Sequence, residues 1–181
     1  MLIRVLGFLL ETIFFLLIAA SLLRAWMNWT RVNMSAQPGG FVMAVTDWLV
    51  KPLRGRLPQK LVKSRIDWAS VVAAAVLALA YALISSLLFG VSDFDAGGLG
   101  LLLVFALKLL LRIALQTMMI LVIGFAILSW VQPGSPAYGL LGRLTEPLLQ
   151  PFRRVVPTIG GVDLSALVLI VVLQIGLMIL G

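Results

Sequence analysis

A four-residue pattern that carries a base and an acid for ionic chemistry, spaced by prolines, occurs twice in the chain. Pro52, Arg54, Pro58 and Asp67 are followed by Pro151, Arg153, Pro157 and Asp163. Each set offers a guanidinium, which binds carboxylate or phosphate through two parallel hydrogen bonds. Each also offers a carboxylate just before an apolar run, where it can accept from the free N–H groups of a helix start. A further acid precedes each set, Asp47 in the first and Glu146 in the second. Asp47, Glu146, Asp67 and Asp163 can be grouped as carboxylate pairs for acid–base work. No nucleophile motif or glycine-rich phosphate loop accompanies them. The chain has no Cys and no His. That removes disulfides, thiolate and imidazole metal ligands, and the commonest general base. We therefore expect no enzyme, no cofactor and no metal site. The plain reading gives these groups to membrane docking and helix capping; the sharper one builds a ligand site from Arg54 and Arg153.

The elements that carry them are read from composition. Of 181 residues, 62% are hydrophobic and only 12% charged, about half the usual charged share of soluble domains. Mean hydropathy is +1.14. A chain this small cannot bury so much apolar surface by itself, so the bilayer must supply the apolar surroundings. Four runs approach the roughly 20 residues needed to cross it: residues 5–26, 69–89, 113–131 and 164–180. None alternates apolar with polar residues as a barrel strand must. Leu99–Leu111 is apolar too, but Lys108 and Arg112 interrupt the run. We expect those two bases near the membrane boundary, snorkelling to headgroups. Glu11 breaks the first run, which also continues past its small-residue stretch, so an uncleaved span is expected there rather than a leader.

The repeated motif falls between spans. Thr46–Pro58 and Thr145–Pro157 share five of thirteen residues. The offset is 104 for Trp26 and Trp130, 99 at the motif, and 96 for Asp67 and Asp163. It shrinks only in connections, as an internal duplication should. The expected fold class is an all-α membrane protein with four transmembrane helices, arranged as two parallel-repeat hairpins with interfacial connecting helices. The first repeat is residues 1–90, with its connection at 27–68; the second is 91–181, with its connection at 132–163. Phe41, Val45 and Trp48 before Pro52, and Leu141, Leu144, Leu148 and Leu149 before Pro151, have helical spacing. Short helices lying in the interface are expected there, with the prolines ending them. Lys and Arg crowd both connections, so the positive-inside rule places both in the cytoplasm and both termini outside.

Glu11 is the one carboxylate well inside a span, and such groups are functional candidates by default. Gln116 and Gln174 lie at comparable depth on other spans. The sharp reading joins Glu11, Gln116 and Gln174 in a polar cluster for an ion or a subunit; the plain one gives them ordinary interhelical hydrogen bonds. Ser70, Ala74, Ala78, Ala82 and Ser86 recur every four residues on the second span. Such a stripe permits close helix approach, within the monomer or at a dimer seam.

Paired spans carrying Pro-x-Arg-x3-Pro and then Asp resemble the YggT (or YlmG) family. "DLSALV" at Asp163–Val168 and "LSW" at Leu128–Trp130 are similar to it as well. The resemblance implies an integral membrane protein of the bacterial inner membrane. For bacterial members it implies links to osmotic tolerance and potassium homeostasis, and for chloroplast relatives to cytochrome b6 haem maturation and nucleoid organisation. Haem ligation here could use only Met or Tyr. Three functions compete: a scaffold or assembly partner for membrane complexes; an ion channel, transporter or accessory subunit; and membrane attachment of the nucleoid. The scaffold leads by elimination. Expected partners are anionic headgroups and a membrane protein or second copy, while nucleic acid is not expected, since topology and lipid already account for the bases.

Overall fold

The computed structural model describes residues 1–34, 38–58, 61, 64–89, 96–154, 156 and 164–180. Pro157 and Asp163 of the second motif lie outside these residues. The described residues form six helices: α1 (Leu2–Trp29), α2 (Gly39–Arg56), α3 (Trp68–Phe89), α4 (Ala96–Val131), α5 (Pro136–Arg153) and α6 (Leu164–Leu180). Three are long and apolar enough to cross a membrane, within Leu2–Trp29, Trp68–Leu88 and Gly98–Val131; Leu164–Leu180 is a shorter apolar helix. These are apolar on every face, so only a bilayer or a large core could accommodate them.

Contacts divide the chain into two units, and the dividing point lies inside α4, after Ile113. In the first unit α1 packs along α3, and α2 packs on both. Ser70, Ala74, Ala78 and Ala82 are all buried, and the three alanines join Ile18, Leu77, Ala106 and Ile113 in one cluster. Small side chains at every fourth position let helix backbones approach closely. Ser86, the outermost member of the stripe, is half-buried and donates to the Leu83 carbonyl. In the second unit Val122, Phe125, Leu149, Ala166, Leu169 and Leu173 form the core.

Three features depart from the sequence reading. First, α4 runs unbroken for 36 residues, about 54 Å at 1.5 Å per residue. The helix contains the expected span 113–131 and begins 17 residues before it, at Ala96. The stretch before it is helical because Leu102, Ala106, Leu109 and Leu110 find apolar partners in the first unit. Lys108 and Arg112 are exposed positions within this helix. Secondly, Pro52 and Pro151 do not end their helices; both lie inside, with α2 reaching Arg56 and α5 reaching Arg153. Each proline removes one intrahelical bond, and the turn continues beyond it. What stops α2 is Pro58. It forces the preceding Leu57 into an extended conformation (φ −79°, ψ 145°), as steric contact with a following proline ring requires. Thirdly, α5 has a start the apolar pattern alone does not show. Ser135 N–H donates to the Gln132 carbonyl at 3.2 Å, closing a turn with Pro133 and Gly134 at its centre. Gly134 has φ +94°, the value a type II turn demands of its third residue. Ser135 then caps the helix, accepting from Tyr138 N–H at 3.1 Å, and Pro136 opens its first turn.

Gly39 begins α2 under a different constraint. A Cβ there would lie 2.6 Å from the Met34 carbonyl oxygen. Only glycine lets the chain pass so close at the entry to this helix.

Candidate functional site

The first unit gathers its charges where α1 ends, α2 crosses and α3 begins. The centre is Arg24, near the end of α1 and only 5% exposed. Its Nη1 donates to Thr46 Oγ1 and to Asp47 Oδ1, both at 2.8 Å. Its Nε is 3.9 Å from Asp67 Oδ2. Arg54 Nη2 reaches the same Asp67 oxygen at 2.7 Å, and Ser70 Oγ donates to it at 2.9 Å. Lys51 completes the set, 2.7 Å from Asp47 Oδ2 across one turn of α2. Three cations thus face two carboxylates. Asp67 is not chiefly a cap: its side chain holds α2 through Arg54 and the start of α3 through Ser70.

Local sequence explains the placement. Val42, Thr46 and Val50 are buried on one face of α2, at the spacing of three to four residues that marks a helix face. Thr46 belongs to the buried face because its hydroxyl is doubly used, donating to the Val42 carbonyl at 2.7 Å while accepting from Arg24. The opposite face carries Phe41 and Trp48, 63% and 61% exposed, two turns apart. Lys51, Arg54 and Arg56 are also exposed. Arg65 lies over the Trp29 ring, its Cζ 6.0 Å from the centroid, a cation–π arrangement.

Asp47 carries an electrostatic signature. The hydrogen bond from Lys51, and then that from Arg24, hold its carboxyl below the usual carboxylate range. A group whose folded pKa is depressed stabilises the fold above its unfolded pKa, and that contribution is lost as pH falls through the folded value. Thermal unfolding in mild detergent should therefore show stability falling as pH drops below about 4. Asp47→Asn should flatten that acid limb and leave neutral-pH behaviour closer to its own plateau.

The second unit holds the second copy of the sequence motif, with a different wiring. Thr145, which opens the second copy of the motif as Thr46 opens the first, is fully buried and donates to the Leu141 carbonyl at 2.8 Å. Glu146 stands at the Asp47 position and pairs with Arg153 Nη1 at 2.7 Å. Arg153 also lies over Phe125, 6.0 Å from its ring centre, and Phe125 stacks on Tyr138 at 5.2 Å. The repeat offset puts Leu128 opposite Arg24, so this half has no buried guanidinium at that place. The outer face of α5 is polar, with Arg143, Glu146, Gln150 and Arg153 exposed, and at the motif offset of 99 Leu140 and Pro147 stand where α2 has Phe41 and Trp48. The difference gives a paired expectation. Thr46→Val should cost about 1–3 kcal/mol, because it leaves a charged donor without its acceptor. Thr145→Val should cost less, since only a carbonyl loses an extra bond. Parallel melts of the two variants in one detergent test the ordering.

The remaining candidates are placed as follows. Arg54 and Arg153 lie in separate units, each in an ion pair of its own. Pro52, Pro58 and Pro151 are exposed. Glu11 is exposed on α1, Gln116 half-buried on α4 and Gln174 exposed on α6. Glu11 belongs to the first unit and the two glutamines to the second. Sequence reasoning misses Arg24, the centre of the network. The signal that could have found it is a lone arginine near the end of an apolar span, followed by acids in the next connection; intramembrane cations of that kind are normally paired.

Among the described residues, a helical architecture with three helices long and apolar enough to cross a membrane fits a helical membrane protein. The CCB3/YggT family profile matches residues 3–88 and 104–181, and the chain belongs to that family. It is 36% identical to YggT of Escherichia coli strain K12 over 172 residues, which cover 94% of this chain and 86% of that one. It is 34% identical over 178 residues to a Vibrio alginolyticus protein described by its position in the proC 3' region, covering 97% and 92%. It is 31% identical over 161 residues to PA0392 of Pseudomonas aeruginosa, covering 87% and 79%. No solved structure is a significant match.

Proposed function

We propose that the chain is a non-enzymatic scaffold or assembly partner for complexes of the bacterial inner membrane. It crosses the bilayer four times as two parallel hairpins, residues 1–90 and 91–181. The third crossing lies within α4, and the fourth is α6, at the short end of what spans a bilayer. Both basic connections face the cytoplasm and both termini face outward. The two stretches matched by the family profile, one in each half, support the repeat.

The observation that carries the scaffold reading is the double character of α2. Its inner face is tied to α1 and α3 through Arg24, Thr46, Asp47 and Asp67. Its outer face presents Phe41, Trp48, Lys51 and Arg56. Most of the charge near this helix therefore fixes its position, and what remains outside is a stiff surface of aromatic and basic groups. Aromatics suit headgroup depth, and the bases attract anionic lipid or an acidic partner.

Affinity purification in mild detergent tests it. A membrane protein retained in fixed stoichiometry, and lost when Trp48 is changed to Ala and Arg56 to Glu, is the expected outcome. Purified protein that conducts ions alone in liposomes, with no such partner, would replace the scaffold by an ion pathway.

A further inference from the structure

The ionic network of the first unit does not balance. Arg24, Lys51 and Arg54 face Asp47 and Asp67, which leaves one positive charge in excess. Arg24 does not present that excess outward, because its side chain is 6% exposed and its Nη1 is taken by Thr46 and Asp47. Lys51 and Arg54 do. Their side chains are 74% and 45% exposed. An ammonium has three donors and a guanidinium five. Among the described residues the charged group of Lys51 pairs with Asp47 alone, and that of Arg54 with Asp67 and no other carboxylate. Both therefore keep unused donors. They stand three residues apart on α2, and residues so spaced are neighbours on a helix surface. One tetrahedral anion can touch both.

Depth selects the anion. Four of the chain's five tryptophans, Trp26, Trp29, Trp48 and Trp68, lie within five residues of a member of the network in sequence. Trp gathers where headgroups meet hydrocarbon. Leu16 on α1 and Val76 on α3 are exposed apolar positions, roughly 12–14 Å along their helices from Arg24 and Asp67. The network thus lies at one end of a lipid-covered surface, at the level of phosphate groups. A zwitterionic headgroup brings its own cation toward the two bases, whereas an acidic one brings net negative charge. The second motif copy supplies a contrast. Gln150 stands at the Lys51 position, and Glu146 faces Arg153 one to one, so that pair has no excess to neutralise.

We propose that Lys51 and Arg54 together hold the phosphodiester of an acidic phospholipid. The inference rests on the membrane reading above and names the lipid that meets the basic flank of α2. The phosphate neutralises the excess charge and accepts from donors that the two carboxylates leave unused, as charge-assisted bonds of this kind favour. Arg54 lies about a third of a turn round α2 from Trp48, so a lipid on this flank leaves the aromatic stripe open to a protein partner.

Native mass spectrometry of the full chain in mild detergent tests the site, with dioleoyl phosphatidylglycerol or dioleoyl phosphatidylcholine added. One phosphatidylglycerol is expected to stay bound under conditions that strip phosphatidylcholine. Lys51→Gln should weaken that binding about tenfold, through loss of one hydrogen bond from a charged group, and Lys51→Arg should keep it. Arg143→Gln removes the same charge from the second unit and should leave the binding unchanged. An equal fall in Arg143→Gln and Lys51→Gln would mean diffuse attraction and overturn the site, as would equal retention of the two lipids by the wild type. Displacement of the lipid by millimolar inorganic phosphate would give the site to a free anion and overturn the lipid as its occupant. Alkaline carbonate extraction reports the membrane reading separately. Release of the chain from the pellet would remove that reading, whereas a retained chain with no lipid preference removes the site alone.

Discussion

Replacing Arg24 with Leu should destabilise the protein more than any other single change in its ionic network. The side chain is 6% exposed and bonds α1 to α2 at two places, with Asp67 within 3.9 Å. Leu fills much of the space, so packing is largely kept. What is lost is the charge that neutralises two carboxylates. Removing one partner of a buried pair costs about 3–5 kcal/mol, because the other is left behind uncompensated. The lower end of that range applies, since Lys51 still serves Asp47 and Arg54 still serves Asp67. For a chain of this length a loss of that size lowers the melting temperature by roughly 10 °C. Arg24→Lys keeps the charge but not the fork that reaches Thr46, Asp47 and Asp67 together. It should recover less than half of the loss. Melting curves of the three proteins in one detergent decide this, and equal stability of wild type and Arg24→Leu would remove the network from any structural role.

Asp67→Asn should be nearly as severe for the mirror-image reason. One oxygen of Asp67 meets Arg54 at 2.7 Å and Ser70 at 2.9 Å, with Arg24 3.9 Å away. The amide is the same size but carries no charge, and its nitrogen is a donor among donors. Arg24 is left with Asp47 alone and Arg54 loses its carboxylate, and we expect a cost of about 3 kcal/mol. Asp47→Asn should cost less, because that side chain is 28% exposed and water can replace part of what it loses. The Arg24→Leu/Asp67→Asn double variant should lose less than the sum of the single losses, since residues in one network do not add. Strict additivity would mean that the 3.9 Å approach carries no coupling.

How much of this was readable beforehand differs from residue to residue. The helical class and the apolar helices follow directly from long runs of Leu, Ile, Val and Ala with no period-two pattern. The start of α4 was not readable. Leu99–Leu111 becomes part of a longer helix through contacts with α1 and α3, and such partners are distant in sequence. Pro52 and Pro151 look like stops, yet a proline one turn before a helix end removes a single bond and can be absorbed. Pro58 acts instead, through the residue before it. Arg24 sits within an apolar run, and its acids follow 23 and 43 residues later, so nothing local announces the cluster. Thr46 was visible only as a repeated letter, whereas its meaning comes from a guanidinium on another helix. The differing outer faces of α2 and α5 are legible in outline: Phe41 and Trp48 against Leu140 and Pro147.

The claim on which the rest depends is that the two arginine-bearing connections lie on one side of the membrane. Gly55 is exposed with open space around its Cα, and Gln150 is exposed on α5, so a cysteine at either place is accommodated. Single cysteines at 55 and 150 would be treated in spheroplasts with a membrane-impermeant maleimide, before and after disruption, with Leu2→Cys as the outward reference. We predict that positions 55 and 150 are both protected until the membrane is broken, while position 2 reacts at once. Reaction of one connection in intact spheroplasts, with the other protected, would contradict the parallel arrangement.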